Sequence, residues 1–198
     1  MNPKDLVNVA KAKKETTKLK VADKLLKARN KPLPILIHPH PILAQVAKEV
    51  DFNTMTMKQR VTLVRKMGNA LAATGYGMQL GIAAPQIGVS LRVMIVRGNV
   101  LFNPSWKPAH QLEDKVEACY SVPHKMFTVN RARYGWAQYQ DINGVWHNNI
   151  KITGDAAHVY QHELDHLDGK CCIDTGKEIP SSGRSLDKEN IIEDEIKN

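Results

Sequence analysis

The chain has 198 residues, 42% of them hydrophobic and 24% charged, the balance of one soluble globular domain with extensions rather than of a disordered chain. Its formal charge of +8 suggests a nucleic-acid partner until the charge is located: residues 1–31 hold ten Lys/Arg against three Asp/Glu, and the remainder holds 18 against 17. The basicity belongs to an N-terminal arm, so the body gives no electrostatic case for nucleic acid as substrate.

No stretch approaches the roughly 18 apolar residues that a membrane-crossing helix needs. Met1-Asn2-Pro3-Lys4-Asp5 leads into no long apolar run, so no secretory signal is expected. Cys119, Cys171 and Cys172 cannot form a disulfide framework, and reduced thiols in a cytosol-like compartment are expected.

Residues 4–29 mix Lys with spaced apolar residues and contain neither Gly nor Pro, which predicts a helical or disordered arm ended by Asn30, Pro32 and Pro34. Ile35-Leu36-Ile37 predicts a short strand. Val61, Val64, Met67 and Leu71 recur at helical spacing, predicting a helix over about 57–74 closed by Gly75 and Gly77. The segment Gly81 to Gly88, punctuated by glycines and Pro85, predicts a loop before a buried strand at Arg92-Val93-Met94-Ile95-Val96. Strand character continues to about Ile152, with a hairpin turned at Asp141-Ile142-Asn143-Gly144. Tyr134 and Trp136 alternate on one arm of it; Trp146, Asn148, Ile150 and Ile152 alternate on the other. From about Asp155 to Asp168 the pattern becomes helical, with Gly169 as the stop. Strands followed by one late helix predict an α+β domain.

Within that late helix stands His162-Glu163-Leu164-Asp165-His166. Residues four apart share a helix face, so both imidazoles can reach one metal ion, and Glu163 is placed to take a proton from a water that the metal activates. Three fixed positions arise by chance in roughly 2% of chains this long, so the pentad alone does not decide against a solvated helix with two surface histidines. A catalytic metal usually has three protein ligands. Cys172, six residues after His166, has the spacing of the third ligand in metzincin-type proteases, whereas Cys119 lies 43 residues before His162. Spacing leaves both open, along with a buried structural role for either thiol.

Three segments read together go further. Gly81-Ile82-Ala83-Ala84-Pro85-Gln86, Glu117-Ala118-Cys119-Tyr120-Ser121-Val122-Pro123 and Gln161-His162-Glu163-Leu164-Asp165-His166-Leu167-Asp168-Gly169 resemble, in order, the three signature motifs of the peptide deformylase family. Ile35 to Val50 and Leu101-Phe102-Asn103-Pro104 resemble flanking elements of that family, so the likeness covers about 33–175. It implies an α+β fold of antiparallel sheets packed around a central helix that carries the His-Glu-x-x-His motif. It implies removal of the formyl group from the N-terminal formylmethionine of nascent proteins, releasing formate.

Carried over residue by residue, the resemblance implies Cys119, His162 and His166 as metal ligands and Glu163 as the acid/base. Gln86 and the backbone N–H of Tyr120 would stabilise the oxyanion. Gly81, Ile82, Tyr120 and His158 would line the substrate site, His158 as a wall of the side-chain pocket rather than a fourth ligand. The metal would be one Fe²⁺ per chain, with Zn²⁺, Ni²⁺ or Co²⁺ as alternatives. The partners would be N-formylmethionyl peptides and nascent chains, with the ribosome engaged through the arm, and neither membrane nor sequence-specific nucleic acid. A cytoplasmic location is expected, with a mitochondrion or plastid as the alternative. The rivals are a zinc protease that uses Cys172 and a non-catalytic protein that keeps the metal site for structure.

The chain departs from the family pattern at Ala118 and Tyr120, where Gly and Leu are usual, and at Met78 and Gln79, where an acidic residue and Gly often stand. If the backbone needs φ > 0 at 118, Ala costs about 1 kcal/mol there. The Tyr120 ring could narrow the substrate cleft. The domains expected are the arm at 1–31, a catalytic domain at 32–176 and a polar tail at 177–198.

Overall fold

Thr56 and Gln59 open the first helix by capping each other: the Gln59 N–H donates to Thr56 Oγ1 at 3.3 Å and the Thr56 N–H donates to Gln59 Oε1 at 2.8 Å. This helix, α1 (Met57–Ala72), turns Leu63, Val64, Met67, Ala70 and Leu71 inward. The computed structural model describes residues 32–75 and 80–180. The arm at 1–31, Gly77, Met78, Gln79 and residues 181–198 lie outside the described residues, and with them the expectations placed there.

Eight strands form two antiparallel sheets. β1 (Gly81–Ala83), β2 (Val93–Val96), β3 (Asn99–Pro108), β6 (Tyr134–Gln140) and β7 (Trp146–Thr153) make the first, in the order β1-β2-β3-β6-β7. β4 (Leu112–Cys119), β5 (Val122–Ala132) and β8 (Lys177–Ile179) make the second, in the order β4-β5-β8. Helix α2 (Gly154–Leu167) packs on β1 and β2 and reaches β5 and β7, so it sits between the sheets as expected. A short helical turn, α3 (Cys172–Thr175), packs on β4 and β5.

The end of α2 is closed three ways. Gly169 takes φ +73 and the Lys170 N–H donates to the Asp165 carbonyl at 2.9 Å, a Schellman cap. A Cβ at Gly169 would meet the Ala44 carbonyl oxygen at 3.1 Å. Arg92 completes the closure, with Nη1 2.7 Å from Asp168 Oδ1 and 3.4 Å from the Leu167 carbonyl, a cation where the helix dipole is negative.

Four expectations change. Ile35-Leu36-Ile37 is not a strand: the Leu36 N–H bonds the Gln86 carbonyl and the His38 N–H bonds the Ser121 carbonyl, each at 2.8 Å, so two separate turns take the bonds that a ladder would need. The segment after Gly81 is not loop alone, because Gly81, Ile82 and Ala83 pair with Val96, Ile95 and Met94 before a 3-10 turn (Ala84–Ile87). The tail expected from 177 begins inside the domain, since Lys177–Ile179 pairs with Thr128, Phe127 and Met126. The alternation along β7 breaks at a register shift opposite Ala137/Tyr139, where Asn149 takes φ +54. Trp146 is consequently exposed while Ile152 packs on the core.

Asn103 ties the entry segment to the first sheet. Its backbone is left-handed, φ +47, and its Oδ1 accepts from the Val50 N–H at 2.7 Å. Its Nδ2 donates to the Val50 carbonyl at 2.9 Å and to Gln140 Oε1 at 2.8 Å. Asn103→Ala strands both Val50 groups and puts a less tolerant residue in that conformation. It should lower the unfolding free energy by about 2–4 kcal/mol in a denaturant titration.

Candidate metal centre

β4 delivers Cys119 at its last position, just before the two-residue turn Tyr120-Ser121, after which β5 begins and Val122 pairs back to Cys119. α2 delivers His162 and His166 from one face, their rings 5.1 Å apart and nearly perpendicular. One donor atom from each of Cys119, His162 and His166 lies within 4.8 Å of the others, a group able to hold a metal ion. Cys119 Sγ lies 3.2 Å from His166 Nε2. Cys172 and His158 fall outside this group.

The outer ring nitrogens are held, which aims the inner ones at the centre. His162 Nδ1 is 2.9 Å from Glu117 Oε2, and His166 Nδ1 is 3.7 Å from Cys171 Sγ. Glu117 stands two residues before Cys119 on β4, and Arg131 on β5 grips it from Nε and Nη2 at 2.7 and 2.9 Å. Arg131 Nη1 also reaches Asp165 Oδ2 on α2 at 2.7 Å. Burial alone would raise the Glu117 carboxyl, but the hydrogen bonds from Arg131 and then His162 outweigh it and bring it down to about 2. Burial alone would lower His162; Cys119 and Glu117 beside it push it well above its ordinary value. Cys119 is held well below the usual thiol range, first by the Cys172 thiol against it and then, against burial, by the two histidines.

Gln161 fastens the same helix to β5. Its Oε1 accepts from the Ala132 N–H at 3.0 Å, and its Nε2 donates to the carbonyls of Ala132 and Ala157, both at 2.9 Å. Glu117, Arg131, Gln161 and Asp165 carried no role in the sequence reading. Glu117 and Cys119 are two apart on a strand and so share a face, a signal that would have singled out the carboxylate.

Glu163 is buried, and its Oε2 has no hydrogen-bond partner among the described residues. Desolvation raises its carboxyl to about 7 although both histidines pull it down. Gly81 makes the room: a Cβ there would stand 2.5 Å from Glu163 Oε1. Gln86, fully buried in the 3-10 turn, is oriented by the Ala83 N–H, which donates to its Oε1 at 2.8 Å. Its Nε2 therefore faces the centre, 3.3 Å from Ser121 Oγ and 3.9 Å from Cys119 Sγ. A thiolate, two imidazoles with anchored outer nitrogens and an unpartnered buried carboxylate suit a divalent transition metal with an open position.

The other expected site residues are placed as follows. The Ile82 side chain is fully buried in the core beside α1, so the backbone of edge strand β1 is what that residue can offer. The Tyr120 ring packs against the same core and its hydroxyl accepts from Thr74 Oγ1 at 3.2 Å, which turns the ring inward. Ala118 pairs with Met126 inside β4 without a positive φ, so the Gly-to-Ala departure carries no backbone strain. His158 lies one turn before His162, with its Nε2 3.0 Å from Glu113 Oε1 on β4.

The family model for polypeptide deformylase matches residues 32–181. The chain belongs to the peptide deformylase family. Peptide deformylase 2 of Shewanella oneidensis is 34% identical over 163 residues, covering 74% of this chain and 86% of that one. The peptide deformylase of Desulfotalea psychrophila is 32% identical over 170 residues, covering 80% and 94%. Among solved structures, the Thermotoga maritima peptide deformylase superposes with a TM-score of 0.67 at 28% identity, covering 75% of this chain and 99% of that one. A class I type b peptide deformylase from Acinetobacter baumannii, solved with Met-Ala-Ser bound, gives 0.67 at 26%, covering 73% and 98%. The activity is that of the family, hydrolysis of the formyl group from the N-terminal formylmethionine of nascent proteins, and the family is metal-dependent.

Arg131 is the test of the clamp. Arg131→Met leaves every ligand in place but frees Glu117 and, through it, the His162 ring. Metal affinity should fall about 10- to 100-fold in a competition titration against a chromophoric chelator.

Proposed function

We propose that the chain deformylates N-formylmethionyl peptides at a single Fe²⁺ held by Cys119, His162 and His166, with Glu163 as the proton carrier. The observation that carries these roles is the buried Glu163 carboxylate, which has an oxygen without a partner and stands between the ligand histidines on α2. The metal, when bound, supplies a Lewis acid that activates water and polarises the formyl carbonyl. Glu163 accepts the proton of the attacking water as the new carbon–oxygen bond forms. Gln86 Nε2 and the Tyr120 backbone N–H then donate to the formyl oxygen as it gains negative charge, one such donor being worth about 3–4 kcal/mol. Glu163 finally passes its proton to the departing amine, the C–N bond breaks, and formate and a free N-terminus leave.

β1 is an edge strand, so the backbone at Gly81 and Ile82 can pair with an extended peptide whose formyl end points at Glu163. His158, buried one turn before His162, would form a wall for the methionine side chain. Thiolate with imidazole suits iron, zinc or cobalt, and the choice of Fe²⁺ follows the family resemblance. The arm of net +7 would contact ribosomal RNA phosphates in the cytoplasm, a binding that weakens steeply as salt rises.

Glu163→Gln removes the base and touches no ligand, so bound metal should stay near one per chain while turnover of a formyl-Met peptide falls about 100- to 10,000-fold. Near-normal turnover would reject the assignment. Gly81→Ala pushes a methyl into the Glu163 carboxylate and should likewise lower turnover with metal retained. Cys119→Ser should lose tight binding of the ion, and Cys172→Ser should keep it.

A further inference from the structure

The chain's three cysteines are all buried in one cluster, with Leu43, Val122, Phe127 and Val129, against the ligand His166. The deformylation chemistry uses one of them. Cys171 Sγ is 3.7 Å from His166 Nδ1 and Cys119 Sγ is 3.2 Å from Nε2, so the imidazole stands between those two sulfurs. The Cys172 thiol, by contrast, lies directly against the Cys119 sulfur. Adjacent Cys171 and Cys172 have Cα atoms about 3.8 Å apart, below the usual disulfide range of about 4.4–6.8 Å, and are poor partners for each other.

We propose that Cys119 and Cys172 form a reversible disulfide when the protein meets a hydroperoxide, a modification site that takes the ligand sulfur away from the metal and shields it from irreversible oxidation. The Cys119 sulfur attacks first. It is the most exposed of the three, at 5% against 1% for each of the others, and it is surrounded by groups that favour its anion. Those groups include the Ser121 N–H at 3.4 Å and the His166 ring.

The thiolate displaces hydroxide from the peroxide O–O bond and becomes a sulfenic acid, and the hydroxide is protonated to water. The Cys172 sulfur then attacks the sulfenic sulfur, the S–S bond forms, and the S–O bond breaks to release a second water with the Cys172 proton. Two thiols are oxidised by two electrons and one peroxide is reduced to two waters. The loss of one of three ligands releases the ion. That consequence rests on the ligand set proposed above, whereas the cross-link itself does not.

The test exposes the full chain, metal-loaded and chelator-treated, to hydrogen peroxide, followed by intact mass, a peptide map and metal analysis. The expected result is loss of two hydrogens, a linked peptide pair containing Cys119 and Cys172, and release of nearly all bound metal. Dithiothreitol should then restore one metal per chain. Cys171→Val should keep the link. Cys172→Val should lose it and instead accumulate oxygens on Cys119 that dithiothreitol does not remove. A link that contains Cys171, or Cys119 oxygenated in the unsubstituted chain as fast as in Cys172→Val, would overturn the proposal. Should Cys172→Val fail to fold, the peptide map of the unsubstituted chain decides between these results alone. Failure here would leave the deformylation assay unaffected, so the two readings fall separately.

Discussion

Arg131 and Glu117 are both more than nine-tenths buried at their side chains, and two charges removed from water repay that cost only with near-ideal geometry. Here the geometry is a two-point fork between the guanidinium and the carboxylate, extended by a third contact to Asp165 on the helix. Replacing such a pair with apolar side chains would often hold a fold equally well, so its use is better sought in what it fixes. It fixes β4, β5 and α2 relative to one another, and these are the elements that supply Cys119, His162 and His166. The centre depends on two sheets and a helix keeping register to a fraction of an ångström, and Arg131 is the residue that touches both sides.

Around that clamp the packing leaves little slack. Gly81 admits the Glu163 carboxylate only because it has no side chain, and Glu163 is buried with an unused oxygen as a result. Gln86 is turned toward the centre by one backbone N–H of the preceding strand. Gln161 ties the helix to β5 by satisfying both polar groups of Ala132, much as another strand would. Desolvation and orientation thus come from the same contacts, and they leave a basic carboxylate where a proton must be moved.

The chemistry was more legible in the sequence than its supports. α1, α2 and the hairpin at Asn143-Gly144 could be read because each follows from a local pattern: helical spacing, a His-x-x-x-His face, a turn dipeptide. β1 and β8 could not, since strands of three residues show no period and their pairing is decided by Val96 and Thr128 far along the chain. Ile35-Leu36-Ile37 misled for the converse reason, an apolar triplet whose bonds go to two turns. The ligands, Glu163 and Gln86 were readable from three ordered motifs. Arg131 was not, because it stands outside all three and acts only through residues brought to it by the fold.

The central claim is the ligand set, and X-ray absorption at the metal edge reads it directly. On the full chain loaded with one Fe²⁺ or Co²⁺, the account predicts one sulfur and two imidazole nitrogens from the protein, at about 2.3 and 2.0–2.1 Å as judged from zinc sites of this type. A shell with two sulfurs would mean that Cys172 or Cys171 binds the ion, and a shell with none would remove Cys119 from the centre; either result contradicts the account.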